Sequence, residues 1–437
     1  MIKRLLHRES SRHVLVLGMG TMLGQLAATL ASPIWSRLYE PSDFGRYGLL
    51  ISYLNIATVA VSFRYDLAIP GARDADESIR LVIVSLFCAL PMSLLSGLIF
   101  AWLTTDKLFG FGRLPSSAAL LVVLLVVLTG VYSTLRFWHV GNAGFRAIST
   151  GLVAQGVGRA LTPIVLAPIH YGWLGLLAGE LLGRALAIRR LAWPLIPLVS
   201  EVARKTSIRQ LADLLKQYRR YPLVFLPSSI LDSAAAAVAV PLVVSLFGIV
   251  VGGKFLLAQQ IVTAPAALIG ASLRDVIHAK LIPTARANPA ELPKLVRRAA
   301  LRLLLLAVVV NLPVACLAPV FAIPVFGRTW EDVGGFLSIL SPAAVVSVAV
   351  SSVSRAMVLS RIPQIKFLAD LIKLILPALG LIIGARCSGQ SLRSALLWYS
   401  AMTAVSYALY FAIVMFSIQA DKQLPMAKLK SGSEMAA

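Results

Sequence analysis

Apolar residues along this chain come in runs of about twenty, separated by short polar stretches rich in Lys and Arg. A run of about that length lets a helix cross the hydrocarbon core of a bilayer. Twelve such spans are predicted, near 14–36, 46–63, 81–102, 116–137, 147–168, 173–193, 221–247, 254–274, 300–322, 333–355, 364–385 and 392–418. The pattern predicts an all-α integral membrane protein. The first run exceeds the roughly 7–15 apolar residues of a secretory signal and is expected to remain as a spanning helix.

The polar stretches orient the spans. With the N-terminus in the cytoplasm, loops on that side carry 31 of the 41 Lys and Arg, and loops on the other side carry 8. Cytoplasmic loops are enriched in basic residues, so both termini are expected inside. All seven Trp fall near predicted helix ends, which reads as an interfacial belt. The longest polar connection places Ile208, Leu211, Leu214 and Leu215 on one helical face among Arg and Lys, and predicts a basic helix lying on the membrane. The chain then divides into an N-terminal six-helix lobe (1–193), a cytoplasmic amphipathic linker (194–220), a C-terminal six-helix lobe (221–418) and a cytoplasmic tail (419–437).

The lobes repeat each other. A shift of 208 residues brings Pro33 onto Pro241, Leu38-Tyr39 onto Leu246-Phe247, and Gly45-Arg46-Tyr47 onto Gly253-Lys254-Phe255. Six spans per repeat preserve orientation, so the lobes are expected to be parallel, related by an axis along the membrane normal and separated by a central cavity.

A net charge of +22 would suggest nucleic acid in a soluble chain. In a chain 58% hydrophobic it marks loops and anionic lipid headgroups instead, so no nucleic-acid partner is expected. Cys88, Cys316 and Cys387 have neither disulfide nor zinc spacing. The sequence holds no phosphate-binding Gly-rich loop, HExxH or CxxC motif. No cofactor, metal or catalytic constellation is expected, and the chain reads as a transporter rather than an enzyme.

The remaining chemistry is ionic. Arg159, Glu180, Asp232, Asp370 and Lys373 sit at membrane depth, where a charge needs a partner or a wet cavity. Glu180 can pair with Arg184, and Asp370 with Lys373, on their own helices. Arg159 has no acid on its own helix. Arg159 and Lys373 each precede a proline by four residues, which frees their carbonyls and predicts locally polar, wet sites. Two such cations on facing helices would accommodate a diphosphate between them. Arg64 and Arg274 end equivalent helices at the cytoplasmic mouth, either meeting an incoming headgroup or pairing with Asp66 and Asp275. Asp232 is placed to line a cavity or to cap a neighbour. The candidate substrate-binding residues are therefore Arg159, Lys373, Arg64, Arg274 and Asp232.

The segments SRLYEPSDFGRYGLL (36–50), RYDLAIPGARDADES (64–78), YRRYPLVFLPSSILDS (218–233) and GKFLLAQQIVTAPAALIGASLRDV (253–276) carry a family resemblance. Over essentially its whole length the chain resembles the lipid-linked oligosaccharide flippases of the multidrug, oligosaccharidyl-lipid and polysaccharide exporter superfamily. The resemblance implies twelve helices in two lobes and alternating access. The implied cargo is an undecaprenyl-diphosphate-linked oligosaccharide, crossing the bacterial inner membrane for surface polysaccharide such as lipopolysaccharide or exopolysaccharide. The expected partners are that cargo, anionic membrane lipids and other polysaccharide-assembly proteins. Two alternatives stay open: a cation-coupled multidrug exporter of the same superfamily, which would favour an acidic cavity, and a membrane glycan polymerase. The longest outer loop, Leu103 to Pro115, is short for the latter.

Overall fold

Helices fall on all the predicted runs in the computed structural model, which describes residues 2–264, 291–353, 363–387 and 391–420. The first lobe contains α1 (Ile2–Leu38), α2 (Pro41–Ala60), α3 (Ala75–Thr105), α4 (Ala118–Gly141), α5 (Phe145–Leu166) and α6 (Trp173–Ala192). The linker is α7 (Ile196–Lys205) and α8 (Ile208–Gln217). The second lobe contains α9 (Leu226–Ala237), α10 (Ala239–Phe247), α11 (Ile249–Ala264), α12 (Leu292–Phe326), α13 (Asp332–Val353), α14 (Pro363–Cys387) and α15 (Leu392–Ala420). Among the described residues there is no strand.

Among the described residues, seven helices are long and apolar enough to cross a membrane, and two bent pairs raise that number to nine. The chain is a multi-pass membrane protein. α1, α6 and the shorter α11 lie outside that count, so it does not itself carry the expected twelve crossings. α6 holds Glu180, Arg184, Arg189 and Arg190, more charge than a lipid-facing span tolerates.

Both bends have local causes. Pro241 cannot donate to the Ala237 carbonyl four residues earlier, and the helix breaks there by 43° between α9 and α10. In the first lobe, Phe63 and Arg64 take positive φ (49° and 64°), and the chain turns by 53° into the short helix Tyr65–Gly71. Bulky residues adopt that conformation only when their surroundings enforce it.

The linker departs from the expected single surface helix. It is two helices, with Thr206 extended between them and a Ser207–Gln210 capping box starting the second. Leu195 and Leu214 turn inward and join Ile79, Leu135 and Leu191 in a buried cluster at one end of the N-terminal lobe. Ile196, Leu198 and Ile208 face outward. The linker is thus pinned to its lobe on one side and leaves apolar groups for lipid on the other.

The repeat appears as a reciprocal contact. A Cβ on Gly45 would collide with the Ile249 carbonyl, and a Cβ on Gly253 with the Pro41 carbonyl. The same 208-residue shift relates Gly45 to Gly253 and Pro41 to Ile249, the first residues of α2 and α11. Paired identical contacts of this kind mark a local two-fold axis between the lobes. Gly253→Ala must separate the backbones there, and is expected to cost about 1–3 kcal/mol from overpacking. Nothing lies near a Cβ on Gly335, so Gly335→Ala serves as the control. Thermal unfolding of the purified variants should separate the two, and equal melting temperatures would contradict the close approach.

One buried cluster crosses between lobes, from Trp35, Phe44 and Leu49 to Val243, Phe255 and Trp330. At the linker end each lobe has its own cluster, one around Leu214 and Leu191, the other around Val296, Leu303 and Val414. The shared apolar cluster therefore lies away from the linker, and α2 continues the inter-lobe contact along α9. Trp330 and Trp35 are buried at that junction, where the Trp330 indole donates to Ser36 O (2.6 Å) and packs edge-on against Phe44. These two Trp are core residues and not members of an interfacial belt. Their indole N–H groups find backbone acceptors, which is what makes burial affordable.

Candidate functional site

Glycines build the first half of the site. α5 and α6 meet at Gly158 and Gly183, where a Cβ on Gly158 would lie 2.8 Å from the Gly183 Cα. Such small residues let helix backbones touch. The contact sets Arg159 of α5 against Glu180 of α6, with Arg159 Nε 2.7 Å from the carboxylate. Glu180 is buried and also binds Arg184 at 2.8 Å. The Tyr47 hydroxyl from α2 donates to Glu180 Oε1 (2.8 Å) and accepts from Arg159 Nη2 (3.3 Å). Two guanidinium groups against one carboxylate leave one positive charge in this buried group. Arg159 Nε, though 2.7 Å from the carboxylate, lies off hydrogen-bond geometry, so that contact is an ion pair.

The carbonyl of Arg159, freed by Pro163, was expected to make a polar, wet site. It packs instead against Gly179, where a Cβ would be only 3.0 Å away. The proline opens room for a helix–helix contact, and the cavity gains nothing from it.

The second half lies in the other lobe. Lys373 of α14 pairs with Asp232 of α9 and is 3.8 Å from Asp370. Asp370 is fully buried and takes its short bonds from Lys366 (2.6 Å) and Ser228 (3.1 Å). The expected Asp370–Lys373 pair is thus the looser of the two, because Lys366 lies one turn back and Asp232 packs across from α9. Two lysines against two carboxylates leave this group neutral. Tyr407 and Tyr410 lie 6.0 and 5.5 Å from the Lys373 ammonium.

Arg159 and Lys373 consequently do not form one pair. Arg159 lines a cavity of ≈ 230 Å³ with Gln25, Thr29, Ser32 and Trp35 of α1 and Gln260 of α11. Lys373 lines a second cavity of ≈ 170 Å³ among α9, α11, α13, α14 and α15. α11 stands between them, and its Thr263 borders both. Arg64 does not pair with Asp66, whose oxygens take the Leu67 amide and the Ser133 hydroxyl. Its Nε is buried without a hydrogen-bond partner among the described residues, and the carboxylates that act on it are Asp66 and Asp232. Asp232, paired with Lys373, is thus also within electrostatic reach of Arg64, which brings three of the five candidates into one neighbourhood. Arg274 and its neighbour Asp275 lie outside the described residues.

A sequence profile described as "polysaccharide biosynthesis protein" matches residues 34–334, more than half of the chain. The chain belongs to the polysaccharide biosynthesis protein family. No curated protein matches the chain in sequence. Its fold is that of MATE transporters of the MOP superfamily. A Vibrio cholerae MATE transporter superimposes with a TM-score of 0.62 at 15% identity, covering 94% of this chain and 97% of that one. A MATE protein solved in complex with MaL6 gives 0.57 at 16% identity over 94% and 97%. An inward-facing multidrug resistance MATE transporter gives 0.54 at 17% identity over 94% and 95%.

The sequence reading missed four neutral polar residues and one lysine. Tyr47, Gln25, Gln259, Gln260 and Lys366 all sit in the two groups or their cavities. The AQQ triplet within α11 was the one available signal for the glutamines, since adjacent amides are unusual in an apolar span.

Proposed function

We propose that this chain flips an undecaprenyl-diphosphate-linked oligosaccharide across the bacterial inner membrane by alternating access, for surface polysaccharide assembly. The observation that carries this reading is Arg159. Its guanidinium is held by Glu180 and Tyr47 in a group of net positive charge and borders a cavity lined by amides, hydroxyls and an indole. A planar fork suits phosphate oxygens, and the neutral polar lining suits sugar hydroxyls. The inter-lobe junction and the separate linker-end clusters support an opening toward the linker, the side expected to be cytoplasmic. A cation-coupled drug exporter would use a carboxylate free to take a cationic cargo. Asp232 and Asp370 both have lysine partners, and Glu180 has two arginines, which favours the flippase.

Deleting the gene is expected to abolish surface polysaccharide and to build up lipid-linked glycan on the cytoplasmic side, with drug sensitivity unchanged. Normal surface glycan together with hypersensitivity to cationic drugs would replace the flippase with the exporter.

A further inference from the structure

We infer that the cavity in the C-terminal lobe is a sugar site: it takes one ring of the glycan, while the diphosphate stays with Arg159 across α11. This rests on the flippase reading above and assigns the two ends of its cargo to different chambers.

The electrostatics argue against an anion in the second cavity. The charge in its lining is Lys373, and that ammonium is already matched by Asp232 and Asp370 just outside the cavity. A phosphate placed there would displace a carboxylate from Lys373 and strand that carboxylate. What the cavity does offer is uncommitted hydrogen-bonding capacity. The Gln259 amide and the Tyr407 hydroxyl border it, and neither has a hydrogen-bond partner among the described residues; the Tyr399 hydroxyl also borders it and meets the Thr403 hydroxyl. The Thr263 and Thr403 hydroxyls give their protons to carbonyls of their own helices, so their oxygens remain as acceptors. Phe255 and Tyr399 meet edge-to-face at 5.8 Å on the same wall. Neutral donors and acceptors beside aromatic faces match a sugar, whose hydroxyls bond to amides and whose C–H face lies on an aromatic ring. At ≈ 170 Å³ the space is below the ~300 Å³ of drug-sized pockets and fits one ring rather than a chain of them.

The two chambers are connected through α11. Gln259 and Gln260 are consecutive, about 100° apart around the helix, so one amide lines each cavity. Thr263, one turn on, borders both.

The test uses the full-length protein in lipid nanodiscs and two separate probes. The first is a panel of methyl glycosides, read by saturation-transfer NMR. At least one glycoside should bind wild type and Arg159→Gln equally, and bind roughly five- to tenfold more weakly to Gln259→Leu, the change expected from losing one or two neutral hydrogen bonds. Tyr399→Phe removes a single hydroxyl and should weaken the same glycoside even if Gln259→Leu fails to fold. No glycoside signal on wild type, or a signal lost with Arg159→Gln but kept with Gln259→Leu and Tyr399→Phe, overturns the assignment. The second probe is sugar-free undecaprenyl diphosphate, expected to bind wild type and Gln259→Leu but not Arg159→Gln. If it does not bind wild type while the glycoside behaves as expected, the sugar site stands and the flippase reading falls.

Discussion

Arg159→Ala is expected to lower flipping in proteoliposomes by about two orders of magnitude while leaving the protein folded. The loss corresponds to one or two charge-assisted hydrogen bonds to phosphate, each worth about 1.5–3 kcal/mol, with tenfold in rate for every ~1.4 kcal/mol. The fold should survive because Glu180 keeps Arg184 at 2.8 Å and the Tyr47 hydroxyl at 2.8 Å after the substitution. No buried charge is stranded. Arg159→Lys retains the charge but cannot hold Glu180 and Tyr47 while also presenting a planar fork, and should fall between wild type and alanine. Activity of Arg159→Ala within about threefold of wild type would remove this residue from the site.

Glu180→Gln should do the reverse, striking stability first. The carboxylate lies between Arg159 and Arg184 with a side chain only 4% exposed. Its neutralisation leaves two guanidinium groups facing each other with nothing to offset them. Breaking a buried pair by removing one partner costs about 3–5 kcal/mol. A fall of many degrees in the melting temperature of the purified protein is expected, largely restored by the double substitution Glu180→Gln with Arg184→Gln. A melting temperature unchanged from wild type would mean that solvent already screens both arginines.

The contrast between these two variants also shows how far the sequence reaches. The helices were legible because twenty apolar residues in a row have few other uses, and the repeat because Gly45 and Gly253 recur at a fixed shift. Arg159 stood out because a charge at membrane depth is costly. Its partner did not, since Glu180 has a local alternative in Arg184 four residues away, and only the packing of α5 on α6 makes it serve both. For the same reason Lys373 could not be read as neutralised by Asp232, 141 residues distant. The polar cavity walls were the least legible part. Tyr399 and Thr403 are common in apolar spans, so nothing in the apolar pattern flags them, and their meaning comes from five helices meeting around one space.

The cluster that joins the lobes has a double role. In most proteins a core forms once and stays formed. Under the alternating access proposed above, the contacts of Trp330 with Ser36 and Phe44, and of Gly45 with Ile249, are expected to come apart in every cycle and form again. On that proposal this part of the core is a reversible interface, whose tightness would set an activation barrier as well as a melting temperature. Substitutions that fill it more completely should give a protein that resists heat better and works more slowly.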